Sequence, residues 1–112
     1  MKKHYHLIGI GGIGMGALAF LLMAKGHKIS GSDLKSSELI ERLKKAGAKI
    51  TISHHASNVK NPDYVIYSSA IGVSNPELIE SVSRNLPILR RAQVLAQLLY
   101  IGYRSSPSLN RM

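Results

Sequence analysis

The chain has 112 residues, 45% of them hydrophobic and 19% charged, and this length allows one compact domain with a single core. The composition excludes a disordered tail, and the absence of cysteine excludes disulfide scaffolds, thiolate metal sites and cysteine nucleophiles. A net charge of +9 predicts an anionic partner, either nucleic acid or a phosphorylated small molecule. Five tyrosines and one phenylalanine are too few for base stacking, so we expect no nucleic-acid partner.

The uncharged stretch over residues 7–24 resembles a signal peptide or a short membrane span in composition. Glycines are concentrated in its first half, and each would cost a continuous helix about 1 kcal/mol relative to alanine. The stretch therefore predicts a turn between a strand and a helix, and we expect a cytoplasmic protein without membrane contact. The alternative is a membrane-anchored interaction module that uses the same stretch. The glycines are Gly9, Gly11, Gly12, Gly14 and Gly16.

Short apolar runs alternate with segments of helical periodicity along the chain, and short loops join them. The runs predict strands over residues 5–10, 28–31, 49–52, 64–67 and 87–89. Helices are predicted over 13–25, from Ser36 or Ser37 to Gly47, from Asn75 onward, and over 92–99. This alternation predicts an α/β fold: a Rossmann-like doubly wound parallel sheet of about five strands with helices on both faces.

The apolar positions of the last two helices predict which of their faces are buried. Asn75, Pro76 and Glu77 are typical of a helix start. Beyond the last helix the periodicity ends, so we expect one domain over residues 1–99 and a loose tail over residues 100–112. The inward positions are Leu78, Ile79 and Val82 in the first of these helices, and Val94, Leu95, Leu98 and Leu99 in the second.

The segment Gly9-Ile10-Gly11-Gly12-Ile13-Gly14 matches G-x-G-x-x-G between a predicted strand and a predicted helix. In this motif Gly9 permits the tight turn, Gly11 lets a pyrophosphate approach the main chain, and Gly14 lets the helix pack closely against the strand. The amides of the first helical turn and the helix dipole would then hold the phosphates. Asp33 follows at about the 20-residue offset at which a carboxylate accepts hydrogen bonds from a ribose or a base.

Polar side chains follow the predicted strands, and ligands of parallel sheets bind beyond the carboxyl ends of the strands. With the glycine motif they predict a nucleotide-binding cleft, and a nicotinamide-nucleotide module, either a sensor or a half-dehydrogenase, is the alternative. The sequence has no G-x-x-x-x-G-K-[ST] loop for ATP, and His4, His6 and His27 are interpreted as surface or core histidines without metal-ligand partners. The polar residues are Asp33, His54, His55, Ser68, Ser69, Arg90 and Arg91.

Four ordered segments carry a resemblance to a known family: HLIGIGGIGM (6–15), SGSD (30–33), SSAI (68–71) with NPE (75–77), and PILRRA (87–92). Over residues 4–99 the chain resembles the N-terminal domain of the Mur ligase family. The resemblance implies a Rossmann-like domain that binds a UDP-sugar, UDP-N-acetylmuramate, and not a dinucleotide. It places the pyrophosphate at residues 11–15, the uridine near Asp33 and His54, and the rest of the cleft along residues 68–70 and Arg90. The implied substrate-binding residues, with no catalytic residue or metal ligand among them, are Gly9, Gly11, Gly12, Ile13, Gly14, Met15, Asp33, His54, Ser68, Ser69, Ala70 and Arg90.

The resemblance also implies an activity that needs more than this chain. The member of the family that these segments resemble would be a three-domain ligase of peptidoglycan synthesis, which uses ATP and magnesium to convert the substrate carboxylate to an acyl phosphate that the amino group of L-alanine attacks. Where a G-T-H-G-K-T-like loop would hold ATP, this sequence reads Tyr100-Ile101-Gly102-Tyr103-Arg104-Ser105. We therefore expect the chain to bind UDP-N-acetylmuramate without a cofactor of its own and not to catalyse by itself. The missing ligase domains are further expected partners if they are expressed separately.

Overall fold

The computed structural model describes the main chain of residues 1–105 and the side chains of residues 1–100. Residues 106–112, which belong to the predicted tail, lie outside the described residues. In chain order the elements are β1 (His4–Ile8), α1 (Ile13–Ala24), β2 (Lys28–Asp33), α2 (Glu38–Lys45), β3 (Lys49–Ile52), a 3-10 turn (Ala56–Asn58), β4 (Tyr64–Tyr67), α3 (Pro76–Ser83), β5 (Ile88–Arg90) and α4 (Arg91–Ser105).

The five strands form one parallel sheet in the order β3-β2-β1-β4-β5, which confirms the predicted Rossmann-like α/β fold. The chain moves outward from β1 to β3 and then crosses back to β4 on the other side of β1. Right-handed crossovers therefore place α1 and α2 on one face of the sheet and α3 on the other. Helix α1 contacts α2 and α4, whereas α3 contacts the 3-10 turn.

The uncharged stretch over residues 7–24 divides into the end of β1, a glycine turn and α1. Gly9 has φ +81°, a left-handed conformation that ends β1 at Ile8 rather than at residue 10. Gly12 is extended and immediately precedes α1. Within residues 1–105, no helix combines the length and the apolar character that crossing a lipid bilayer requires.

Two other elements are longer than the sequence predicts. Strand β2 continues past residue 31 to Asp33, because Ser32 and Asp33 pair with Thr51 and Ile52 of β3. Helix α4 continues past the predicted end at residue 99 as far as Ser105.

The apolar core lies between the sheet and the face covered by α1, α2 and α4. Helix α2 is fixed at its start by Ser37, whose Oγ accepts a hydrogen bond of 3.1 Å from the Ile40 amide, and Gly47, with φ +115°, follows its end. This helix turns Ile40 and Leu43 inward. The main cluster of buried apolar side chains includes Leu7, Ile10, Met15, Leu18, Leu22, Ile29, Leu43, Ile66 and Val94.

The predicted inward face of α3 is wrong at two of its three positions, because this helix buries polar side chains, and Leu78 is half-buried. Ile79 and Val82 are 54% and 60% exposed, whereas Glu77 and Ser81 are completely buried. Burial of Glu77 is possible because its carboxylate is fully hydrogen-bonded, as described below. In α4 the prediction holds for Val94 and for Leu98, which packs partly buried against the core, but not for Leu99, which is 66% exposed.

The close approach of β1 and β2 requires glycine at position 31. A Cβ atom on Gly31 would lie 2.7 Å from the carbonyl oxygen of Leu7 and 2.9 Å from Cβ of Ile10. We expect Gly31→Ala to lower the free energy of unfolding by about 2 kcal/mol, because the main chain must move to admit the methyl group. The measurement is urea denaturation, with Gly72→Ala as the control because its Cβ would meet open space. Equal losses in the two variants would contradict this explanation.

Candidate functional site

A cavity of about 470 Å³ opens at the carboxyl ends of the strands, within the size range of small-molecule sites. The turn after β1, the end of β2, the segment after β3 and the segment after β4 each contribute to its wall. This is the edge of an open parallel sheet at which ligands bind, next to the point where the strand order reverses. The lining residues are Gly9, Gly11, Gly12, Asp33, Leu34, Lys35, Ser36, Ser37, His54, Ser68, Ala70 and Ile71.

The structure brings some of the predicted site residues into this wall and leaves others outside it. Ile13 is 88% exposed, the Met15 side chain is buried in the core, and the Arg90 side chain donates to the Tyr67 hydroxyl at 3.2 Å. Ligand contact at any of these positions stays a prediction. Those in the wall are Gly9, Gly11, Gly12, Asp33, His54, Ser68 and Ala70, and those outside it are Ile13, Gly14, Met15, Ser69 and Arg90.

Helix α1 begins at the cavity wall with main-chain donors that no side chain caps. The residue before the helix is Gly12, which has no side chain to accept from the first turn. The amides of Ile13, Gly14 and Met15 are therefore available at the positive end of the helix dipole. Such a helix start can hold an anionic group.

Asp33 fastens the glycine turn to the end of β2. One carboxylate oxygen accepts from the Gly11 amide and the other from the Leu34 amide, both at 2.8 Å. A Cβ on Gly11 would lie 2.7 Å from Asp33 Oδ2 and 2.8 Å from Cδ1 of Ile40. The absence of a side chain at Gly11 therefore makes room for these protein atoms, a reason beyond the phosphate approach that the motif suggests.

Gly14 also has a neighbour that the motif does not predict. A Cβ there would lie 2.9 Å from a guanidinium nitrogen of Arg91, the first residue of α4. A side chain at position 14 would therefore meet an arginine side chain and not the strand that the motif indicates.

Sequence reasoning missed five lining residues, most of them in the segment between β2 and α2. Lys35 brings a cation to the wall, and Ser36 donates to Glu41 Oε2 at 3.0 Å. The rule that residues after each strand face the ligand could have included this segment, which directly follows Asp33. The missed residues are Leu34, Lys35, Ser36, Ser37 and Ile71.

Behind the cavity, Glu77 is the centre of a buried hydrogen-bond network. Its Oε1 accepts from His6 Nε2 at 2.6 Å and from Ser32 Oγ at 2.8 Å. Its Oε2 accepts from the His55 amide at 3.0 Å and from Asn58 Nδ2 at 2.9 Å. Burial alone would raise the pKa of Glu77, but these four hydrogen bonds lower it to about 2. The network therefore holds a buried, ionised carboxylate.

The same network continues along the sheet on one side and to the cavity on the other. His6 Nδ1 lies 2.8 Å from Ser30 Oγ, which lies 2.7 Å from His4 Nε2. On the cavity side, Ser32 Oγ lies 2.9 Å from Nδ1 of His54. The alternation of His4 and His6 in β1 is a signal that one strand face is polar, but it does not identify α3 as the partner.

A parallel sheet of this order, with a glycine turn after its first strand and a cavity across the strand ends, defines a Rossmann-like domain. The family described as "Mur ligase family, catalytic domain" matches residues 4–103, and the chain belongs to this family.

Individual relatives agree with this assignment. The chain is 47% identical over 101 residues to UDP-N-acetylmuramate–L-alanine ligase of Geotalea daltonii and 48% identical over 103 residues to that of Clostridium botulinum (strain Okra). These alignments cover 90% and 92% of the chain, and the chain spans only 22% of either relative. The crystal structure of UDP-N-acetylmuramate–alanine ligase from Thermotoga maritima superposes with a TM-score of 0.85 at 34% identity, covering 88% of this chain and 23% of that one.

Proposed function

We propose that this chain is the UDP-N-acetylmuramate-binding domain of an ATP-dependent ligase that adds L-alanine to that nucleotide sugar in peptidoglycan synthesis. The observation that carries the proposal is an uncapped helix start and a glycine turn in the wall of a cavity. The relatives that the chain resembles are named UDP-N-acetylmuramate–L-alanine ligases. The net charge of +9 supports an anionic ligand.

The geometry supports a division of the cavity between the two ends of the ligand. We propose that the diphosphate lies against the amides at the start of α1, with the cation of Lys35 on the same wall. The uridine lies beside Asp33 and His54. Ser68, Ser69, Ala70 and Arg90 complete the cleft from the side of β4 and β5.

We propose that the chain binds the nucleotide sugar but does not form the amide bond alone. Its 112 residues contain no glycine-rich lysine loop of the kind that holds ATP phosphates. ATP, magnesium and the acyl phosphate would belong to the other domains of such a ligase, with which this domain would act. We propose that the ligase acts in the cytoplasm, and the absence of cysteine from this chain is compatible with that reducing compartment.

Calorimetric titration of the chain tests this proposal. We expect UDP-N-acetylmuramate to bind at least about tenfold more tightly than NAD, a difference of about 1.4 kcal/mol. UDP serves as the control that separates recognition of the nucleotide from recognition of the sugar. Tighter binding of NAD would contradict the proposal and favour the nicotinamide-nucleotide module instead.

A further inference from the structure

The carboxylate of Glu77 reaches the cavity through Ser32 and His54. Ser32 is completely buried, and its Oγ lies within hydrogen-bond distance of both Glu77 Oε1 and His54 Nδ1, at 2.8 and 2.9 Å. With its pKa lowered to about 2, Glu77 is ionised at neutral pH, and an ionised carboxylate can only accept hydrogen bonds. Ser32 must therefore donate its one hydroxyl proton to Glu77.

The position of that proton determines which ring nitrogen of His54 carries hydrogen. Because the Ser32 hydroxyl proton is directed at Glu77, Ser32 Oγ can only accept from His54, so Nδ1 must be the protonated nitrogen. Glu77 Oε2, 3.6 Å from the same nitrogen, favours this arrangement. In a neutral imidazole the other nitrogen is an acceptor, and Nε2 of His54 is thus left with a lone pair.

His54 Nε2 lies in the exposed part of a ring that lines the cavity. The ring lines the cavity, and 11% of the side chain is exposed. Within the part of the chain whose side chains are described, every buried side-chain nitrogen and oxygen has a hydrogen-bond partner. Nε2 has no partner there, so it belongs to the exposed part of the ring.

We propose that Glu77 and Ser32 are positioning residues that fix the ring proton of His54 on Nδ1, so that Nε2 acts as a hydrogen-bond acceptor for a donor group of the bound nucleoside. The donor is the imide N–H of uracil or the 2′-hydroxyl of the ribose, and both present a proton to Nε2. This inference rests on the proposed function, since it takes a uridine nucleotide as the occupant. Where the donor is the imide, a histidine with this acceptor disfavours cytosine, whose ring nitrogen at the imide position is itself an acceptor.

The first test needs no ligand. Spectra of the 112-residue chain with ¹⁵N-labelled imidazoles are recorded at a pH at which the ring is neutral, and the His54 signals are assigned by their loss in His54→Gln. We expect the ring proton on Nδ1 in the unsubstituted chain. In Ser32→Ala, Nδ1 loses its acceptor and the proton should shift toward Nε2. The matched control is Ser57→Ala, because exposed Ser57 lies near His55 and not His54. A proton on Nε2 in the unsubstituted chain overturns the inference even if Ser32→Ala does not fold.

The second test identifies the donor. Binding of UDP, CDP and 2′-deoxy-UDP is compared in the unsubstituted chain and in His54→Ala. We expect CDP or 2′-deoxy-UDP to bind about tenfold more weakly than UDP, and we expect His54→Ala to abolish that difference. If CDP binds more weakly than UDP, the donor to His54 is the uracil imide. If 2′-deoxy-UDP binds more weakly, the donor is the ribose 2′-hydroxyl. Discrimination that persists in His54→Ala overturns the inference while leaving the proposed function intact. Failure of the chain to bind UDP or UDP-N-acetylmuramate removes the proposed function, whatever the state of His54.

Discussion

Replacing Glu77 with glutamine is expected to lower the free energy of unfolding by about 3 kcal/mol, although the two side chains have nearly the same shape. Four donors converge on the carboxylate, two on each oxygen. A glutamine amide keeps one acceptor oxygen and places an NH₂ group against donors on the other side. Buried donors would be left unpaired, which costs several kcal/mol when the acceptor was a charge.

The matched control for this substitution is Glu80→Gln on the same helix. Glu80 is partly exposed and lies 3.9 Å from Arg84, so its loss should change the free energy of unfolding by less than about 0.5 kcal/mol. Urea denaturation at pH 7 measures both variants. Similar small losses would show that the buried network contributes little to stability.

At acid pH, the free energies of unfolding of the unsubstituted chain and of Glu77→Gln should become equal. The pKa of Glu77 is lowered from 4.5 to about 2 in the folded chain, a gap that corresponds to about 3 kcal/mol. Because the folded pKa is the lower one, this stabilisation is complete above pH 4.5 and is lost as the pH falls toward 2. Urea denaturation at intervals from pH 6 to pH 2 should therefore show the two stabilities converge. A difference in unfolding free energy that stays constant over this pH range would contradict the prediction.

Substituting valine for Gly11 is expected to weaken binding of UDP-N-acetylmuramate by more than about 100-fold. The new side chain meets the carboxylate of Asp33 and the end of Ile40, so it displaces the acceptor that holds the glycine turn in the cavity wall. The same crowding should lower the free energy of unfolding by about 2 kcal/mol while leaving the far-UV circular dichroism largely unchanged.

Calorimetry measures the loss of binding in Gly11→Val, and Ala17→Val is its control. Ala17 lies on an exposed face of α1, so its substitution introduces the same side chain without crowding Asp33. Retained affinity in Gly11→Val would show that the glycine turn is not part of the binding site.

The regular elements and the glycine turn could be predicted from the sequence because local periodicity and spacing determine them. The turn at Gly9 and the cap at Ser37 are examples in which the residue and its conformation agree. The role of Glu77 could not be predicted in this way. Its place after Asn75 and Pro76 is typical of an exposed helix start, and Asn75 does accept from the Glu77 amide at 2.9 Å.

Only the tertiary arrangement shows that the Glu77 side chain points into the sheet. The donors for Glu77 come from β1, β2 and the segment after β3, which are distant in sequence. A polar buried face on α3 is therefore a product of the fold as a whole, and the apolar positions Ile79 and Val82 gave the wrong orientation. The acceptor state of His54 has the same origin, because it depends on three side chains from three separate segments.

The hydrogen bond between His6 and Glu77 joins residues that are 71 positions apart. During synthesis on the ribosome, β1 leaves the exit tunnel long before α3 is available. The imidazole of His6 therefore cannot be buried against Glu77 until residues 1–77 of the domain have left the tunnel. Because this contact is so distant in sequence, we expect the domain to fold more slowly than one built from local contacts.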